Sequence, residues 1–348
     1  MTPSDTTDLP DTHEATPPGA TPTWAVASLG DEPAPLIAAF ARHTRAIGAR
    51  EVHIFLDRPN PDVARLIGDR DGIFITTCDQ AFWDRENRGR RPERHTGRQK
   101  FVATYVYRRT TCDWVLHCDV DEFIADGQAL SNALAKADRN KGLVVRNAER
   151  VYLPDTVQDT IFAGGFRHPT SFTPEDAEAL YGRFAKFLAF GLTGHRVGKT
   201  ITPTGHDWEL GVHHPKAVGD GPKPQLDRIH QRLLLHFDGL TPLHYAIKLL
   251  KKSFENYSGP KRKIGEAREA QHRFTRSHAD RPQEILRMVN GVQSLTPQQV
   301  DALWTLGLLQ PEPFFPKDCD GLDLSRAHFD SLLRDRDHDI LAKAGLEM

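Results

Sequence analysis

Three short apolar runs near the start of the chain, WAVASLG from Trp24, EVHIFLD from Glu51 and IFITTCD from Ile73, do most to restrict the fold. Each is strand-length, and the gap after the first holds PAPLIAAFARHTRAIG, where Leu36, Ile37, Phe40, Thr44 and Ile47 fall near helical spacing and Gly48 supplies a stop. Strand, helix, strand in this rhythm implies right-handed crossovers and a doubly wound, mainly parallel sheet. Ligands of such sheets sit beyond the carboxyl ends of the strands. Four places qualify: Ser28 to Glu32, Asp57, Asp79, and Asp119 to Glu122.

The last of these is the most informative. A fourth apolar run, WVLHC, leads directly into Asp119, Val120, Asp121, Glu122 and Phe123. In an extended segment alternate residues face the same side, so Asp119 and Asp121 would present two carboxylates to one ion while Val120 turns to the core. Hard oxygen ligands suit Mg²⁺ or Mn²⁺. Such an ion can neutralise a diphosphate leaving group. Asp69 with Asp71, Asp318 with Asp320, and Asp335 with Asp337 and Asp339 repeat the spacing, but only the pair at Asp119 follows an apolar strand. A calcium loop would need Gly at its sixth position, where counting from Asp119 gives Ile124 and from Asp335 gives Ile340.

The remainder of the chain bounds the setting. With 348 residues, 39% hydrophobic and 26% charged, it can bury a substantial core, one α/β domain with a helical appendix. A formal net charge of −2 gives no global attraction to nucleic acid, so none is expected as a partner. Cys78, Cys112, Cys118 and Cys319 form no C-x-x-C pair or disulfide framework, which points to a reducing, cytoplasmic setting. Residues 1–23 read as a disordered tail without signal-peptide character, and no run has the length of a membrane span. Residues 24–240 read as the α/β domain that carries the acidic cluster. Within it, a basic segment precedes a helix carrying Phe101, Val102, Tyr105 and Val106, a helix is expected near Gly127 to Ala137 and a strand at LVVR, and Leu153 to Gly221 reads as loops and short strands. Residues 241–348 read as the helical appendix, with Leu295, Thr296 and Pro297 suited to a helix start.

WVLHCDVDEFI resembles the hallmark segment of the family 2-like glycosyltransferases, in which an aromatic-led strand runs into Asp-x-Asp-Glu-Phe. GDEPAPLIAAFARHTRAIGAREVHIFLD resembles that group's opening strand, helix and strand, with Asp31-Glu32 in place of the usual Asn-Glu. GRQK resembles its Arg-Gln step, and GHRVGKTI and GVHHPK its later Gly-Lys and His elements. The resemblance covers residues 24 to 255 and implies a GT-A fold, a nucleotide-sugar donor, most often a uridine one, and a divalent metal.

It further implies that His213 completes the metal site, with His236 the rival ligand, and that Lys199 reaches the diphosphate as a point charge. Arg98 has a similar claim, Gln99 would hydrogen-bond the donor, and Asp57 would contact the base or ribose. Ser28 and Glu32 join the donor side by topology. An inverting transferase needs a carboxylate base, for which Glu209 and Asp238 are the candidates. The expected reaction moves a sugar to the hydroxyl of a saccharide or glycolipid acceptor in surface polysaccharide or glycolipid assembly. Nucleotidyl transfer on the same fold class, or a non-catalytic carbohydrate- or nucleotide-binding module, are the alternatives. Finally, Lys248, Lys251, Lys252, Lys261, Arg262 and Lys263 lie within sixteen positions containing one acid, Glu255. A cationic helix face there would allow peripheral contact with the anionic inner face of a membrane.

Overall fold

The computed structural model describes residues 21–254 and 265–346. Lys261, Arg262 and Lys263, and the 1–20 part of the expected tail, lie outside the described residues.

The strands are, in chain order, β1 (Trp24–Gly30), β2 (Glu51–Leu56), β3 (Ile73–Thr77), β4 (Trp114–His117), β5 (Glu122–Ile124), β6 (Lys141–Val145) and β7 (Asn147–Val151). Then come β8 (Gly165–Arg167), β9 (Lys199–Pro203), β10 (Trp208–Glu209), β11 (Lys216–Ala217), β12 (Gln225–Arg228), β13 (Leu234–His236) and β14 (Leu309–Gln310). The helices of the first half are α1 (Ala34–Ala46), α2 (Pro61–Ile67), α3 (Gln80–Asn87), α4 (His95–Tyr107), α5 (Gly127–Leu134) and α6 (Pro174–Tyr181). Those of the second half are α7 (Pro242–Phe254), α8 (Glu266–Ser277), α9 (Pro282–Gln293), α10 (Pro297–Thr305), α11 (Arg326–Arg336) and α12 (His338–Lys343).

A seven-stranded sheet runs β12-β6-β9-β4-β1-β2-β3. All of its pairings are parallel except those of β9, which is antiparallel to both β4 and β6. All seven residues of β1 are buried, as a central strand covered on both faces requires. On one face Val102, Ala103 and Val106 of α4 pack with Phe82 and Trp83 of α3. On the other, Leu36, Ile37 and Phe40 of α1 join a larger core that also takes in Tyr245 of α7, Met288 of α9 and Phe329 of α11. The fold is therefore mixed α/β with a mainly parallel sheet and helices on both faces. No disulfide joins the four cysteines, and no helix among the described residues is long and apolar enough to cross a membrane.

The region Leu153 to Gly221, expected as loops and short strands, also holds a capped helix. Thr173 and Asp176 form a reciprocal capping box that starts α6. A second sheet, β14-β8-β7-β13-β5, is built largely from strands too short to show a period. It sets Glu122, His236, Glu149 and Arg167 in one buried row, since His236 lies opposite both Glu122 and Glu149, and Glu149 opposite Arg167.

Candidate active site

The acidic cluster lies where β4 stops. β4 is buried at all four residues, and the Cys118 N–H donates to the Ala27 carbonyl at 3.2 Å, continuing the pairing with β1 by one residue. The chain then turns. The Glu122 N–H donates to the Asp119 carbonyl at 3.0 Å, so Asp119 to Glu122 form a tight turn and not the extended segment that alternation suggests. Val120 is buried beside Gly30. Phe123 anchors the turn from below, fully buried, with its ring centroid 5.2 Å from Phe162, 5.4 Å from Phe314 and 5.7 Å from Phe40.

Because of the turn, the two aspartates face different cations. Asp119 Oδ2 is 2.6 Å from Lys199 Nζ, and its Oδ1 accepts from the Gln99 amide. Asp121 Oδ2 accepts from Lys248 Nζ at 2.8 Å, and the same ammonium reaches Asp238 at 3.1 Å. Lys199 also lies 3.1 Å from Glu122, and both of these side chains are fully buried. Burial would raise the Asp119 carboxyl, but Lys199 and its hydrogen bond hold it far below the usual carboxylate range. Glu122 goes the other way, because burial and the negative Asp119 outweigh its share of Lys199. Burial opposes the Lys199 charge, yet Asp119 and Glu122 keep its ammonium well above lysine's usual range.

Three imidazoles close the other side. The His195 ring is 4.2 Å from that of His213 and 5.5 Å from that of His236. His213 Nδ1 is 3.0 Å from the Gly198 carbonyl, which can only accept, so the proton resides on Nδ1 and the Nε2 lone pair is left for a ligand. Burial, with Lys199 nearby, pushes His213 down to about 4, so the ring is neutral at pH 7. Glu122 Oε1, His195 Nδ1 and His236 Nδ1 are buried without a hydrogen-bond partner.

In kind, these donors fit a hard divalent cation: carboxylate oxygens from Asp119 and Asp121 and a neutral nitrogen from His213. Their arrangement is less accommodating. Both carboxylates are engaged by lysines, and among the described residues no three His, Cys, Asp or Glu side chains converge closely enough to hold a metal.

Of the residues expected on the donor side, Arg98 and Gln99 are consecutive in α4, so they point about 100° apart and tie two strand ends together. Arg98 clasps Asp57, at the end of β2, with Nη2 at 2.7 Å and Nε at 3.0 Å, while Gln99 takes Asp119. Arg91 adds a third bond to Asp57 at 2.8 Å. Burial raises the Asp57 carboxyl, but hydrogen bonds from His95 and Arg98 with the two arginine charges take it well below its usual range. Glu32 meets His244 Nε2 and Arg336 Nη1, each at 3.0 Å. A cavity of about 170 Å³ lined by Gly30, Asp31, Glu32, Arg58 and Arg336 opens here. Ser28 lies inside β1 opposite Ile54, fully buried, its hydroxyl without a partner.

The two candidate bases separate. Asp238 belongs to the cluster, held by Arg268 at 2.7 Å, Lys248 and the Thr193 hydroxyl at 3.1 Å. Glu209 is exposed on the β10–β11 hairpin, 3.5 Å from Arg108. His236, the rival metal ligand, lies within the buried row described above. Lys248, Arg268, His195 and Glu149 escaped sequence reasoning as members of the site. Lys248 was visible only as part of the cationic run, and the helical pattern alone places it on the outward face.

No family model and no curated protein matches the sequence. Among solved structures, the chain is similar to glucosyl-3-phosphoglycerate synthase from Mycobacterium tuberculosis, solved with Mn²⁺, uridine diphosphate and phosphoglyceric acid. The TM-score is 0.26 at 10% identity, over 38% of this chain and 44% of that one. A second mycobacterial protein matches at TM-score 0.26 and 11% identity, over 38% of this chain and 42% of the other. The chain thus spans less than half the length of either neighbour, and likenesses this slight carry no assignment of function.

Proposed function

We propose that this protein is a glycosyltransferase of the family 2-like group, moving a sugar from a nucleotide-sugar, a uridine one in the first instance, to a hydroxyl acceptor. The observation that carries the reading is the Asp119-Val120-Asp121 turn at the carboxyl end of β4, faced by the buried Lys199. In such a transfer the acceptor oxygen bonds to the anomeric carbon, the bond from that carbon to the phosphate oxygen breaks, and the nucleoside diphosphate leaves with the electron pair. The hydroxyl proton passes to a base. Lys199 and Lys248 lie where a departing diphosphate needs positive charge. Asp57, clamped by Arg98, and the cavity beside Glu32 offer the nucleoside a rigid polar seat.

A divalent cation, Mn²⁺ or Mg²⁺, bound by Asp119 and Asp121 with His213, would supply further neutralisation of the diphosphate. The lysine pairs favour a second version of the same reaction, in which Lys199 and Lys248 carry that load without a metal. Asp238 is the candidate base within the cluster, although Arg268 and Lys248 overcome burial and hold its carboxyl well below the usual range, which weakens it as a proton acceptor. Assembly of surface polysaccharide or glycolipid is the context the resemblance suggests.

Hydrolysis of a panel of nucleotide-sugars, with Mn²⁺ and with chelator, tests the reading. Turnover that drops to background in Asp119→Asn and Asp121→Asn, both still folded by thermal melting, is the expected result. Wild-type turnover in both variants would reject it. Activity that survives chelation but needs both lysines would select the metal-free version.

A further inference from the structure

A larger cavity, about 390 Å³, is lined by Arg146, Arg196, Arg228, Arg232, His214 and Thr170 among others. No carboxylate is in its lining. Its size falls within the range of about 300 to 1,000 Å³ usual for small-molecule sites.

The four arginines come from different places in the chain. Arg146 follows β6, Arg196 precedes β9, Arg228 ends β12 opposite Val144 of β6, and Arg232 lies in the turn to β13. Neutral groups hold three of them. Arg146 Nη1 donates to the His230 carbonyl and Arg232 Nη1 to the Asn147 carbonyl, both at 3.2 Å, and the Arg196 guanidinium stacks 3.5 Å over the Phe190 ring. None of the four makes an ion pair among the described residues, whereas Arg91 and Arg98 pair with Asp57, Arg167 with Glu149 and Arg268 with Asp238. Burial and the neighbouring Arg146 push Arg232 down to about 10, a sign of like charges crowded together. Each guanidinium retains N–H donors in a fork that matches phosphate and carboxylate oxygens.

We propose that this pocket binds a multiply anionic ligand through phosphate or carboxylate groups, and that this ligand is the acceptor. The second half rests on the transferase reading; the first does not. Two chain connections place the pocket next to the proposed donor site. His214 lines the pocket and adjoins His213, and Val197 lines it two residues before Lys199. β9 separates the two by alternation, since Lys199 faces the Asp119 carboxylate while the Thr200 hydroxyl is 2.8 Å from His214 Nδ1.

Calorimetry on the full chain saturated with uridine diphosphate, titrated separately with inorganic phosphate, pyrophosphate and citrate, tests the pocket at low and high salt. Saturable binding is expected that weakens with salt and falls about tenfold or more in Arg146→Ala and Arg232→Ala. Arg228→Gln should behave alike, and Arg65→Gln, an exposed arginine of α2 outside the lining, should bind these anions as the wild type does. Preference for the phosphates marks a phosphorylated acceptor, and preference for citrate a carboxylated one. The arginine variants relieve a like-charge cluster, so they should melt no lower than the parent. Anion affinity unchanged in all three variants, or no saturable binding at low salt, would overturn the proposal. Anion binding without any sugar transfer would leave the pocket in place and remove only its role as acceptor site.

Discussion

Lys199 and Asp119 meet at 2.6 Å although they stand 80 positions apart, because β9 runs antiparallel beside β4 and so begins at the edge where β4 ends. The pairing of Leu116 with Ile201, carried two residues further, sets Cys118 against Lys199. A strand in the reversed direction is thus what supplies the acidic turn with a buried cation.

Replacing Lys199 by Met removes that cation from beside two carboxylates. Breaking a buried pair by deleting one partner costs about 3 to 5 kcal/mol, so urea unfolding should show a loss near the lower figure, because the Asp119 side chain retains 29% exposure. Adding Asp119→Asn to the variant should recover part of it. A double variant no more stable than Lys199→Met would contradict the pairing.

His43 should confer a pH dependence unrelated to catalysis. Its Nδ1 accepts from the Lys317 N–H and its Nε2 faces the Ile124 carbonyl, both at 2.9 Å, an arrangement only the neutral ring satisfies. Burial pushes its pKa down to about 4 from 6.5. A base with a lowered folded pKa binds more protons when unfolded, so its contribution is complete above about pH 6.5 and is lost as pH falls toward 4. The urea midpoint should decline over that window. An NMR titration in which His43 takes up its proton near 6.5 in the folded protein would refute this.

Lys248 and Lys251 belong to the run expected to face a membrane, but both are ion-paired. Lys248 meets Asp121 and Asp238, and Lys251 meets Asp337 at 2.6 Å. Lys248→Gln should therefore lower donor turnover by at least about tenfold, and neither it nor Lys251→Gln should alter sedimentation with anionic liposomes. Liposome binding lost in Lys248→Gln at unchanged turnover would restore the outward reading.

Arg98→Lys at the Asp57 clamp should raise the KM for donor more than it lowers kcat, since lysine cannot reproduce the two-nitrogen grip on one carboxylate. Steady-state kinetics decides it; an unchanged KM would remove Asp57 and Arg98 from the donor side.

Local signals in the sequence were reliable guides. The first three strands, the stop at Gly48 with its positive φ of 109°, and the helix start at Thr296, which forms a capping box with Gln299, all rest on neighbours a few residues apart. What could not be read was which distant residue arrives beside the turn. Lys199 was singled out through the resemblance, but its contact with Glu122 depends on the reversed β9. Lys248 occupies the polar side of an amphipathic helix, and only the packing of α7 reveals that this side meets Asp121. The four-arginine pocket has no linear signature, since Arg146 and Arg196 come from separate connections and Arg228 and Arg232 from the end of β12 and the turn after it.

The antiparallel insertion of β9 also bears on the order of synthesis. Asp119, Asp121 and Glu122 leave the ribosome well before Lys199, and later still come Lys248 and Arg268. Until then the first four strands can pair, but the turn capping β4 has the Gln99 amide without the Lys199 ammonium against its charge. A nascent chain halted after Leu240 would hold Lys199 yet leave Asp121 and Asp238 without Lys248 and Arg268. The site can therefore close only after much of the C-terminal half has emerged, which makes its completion a late event in folding.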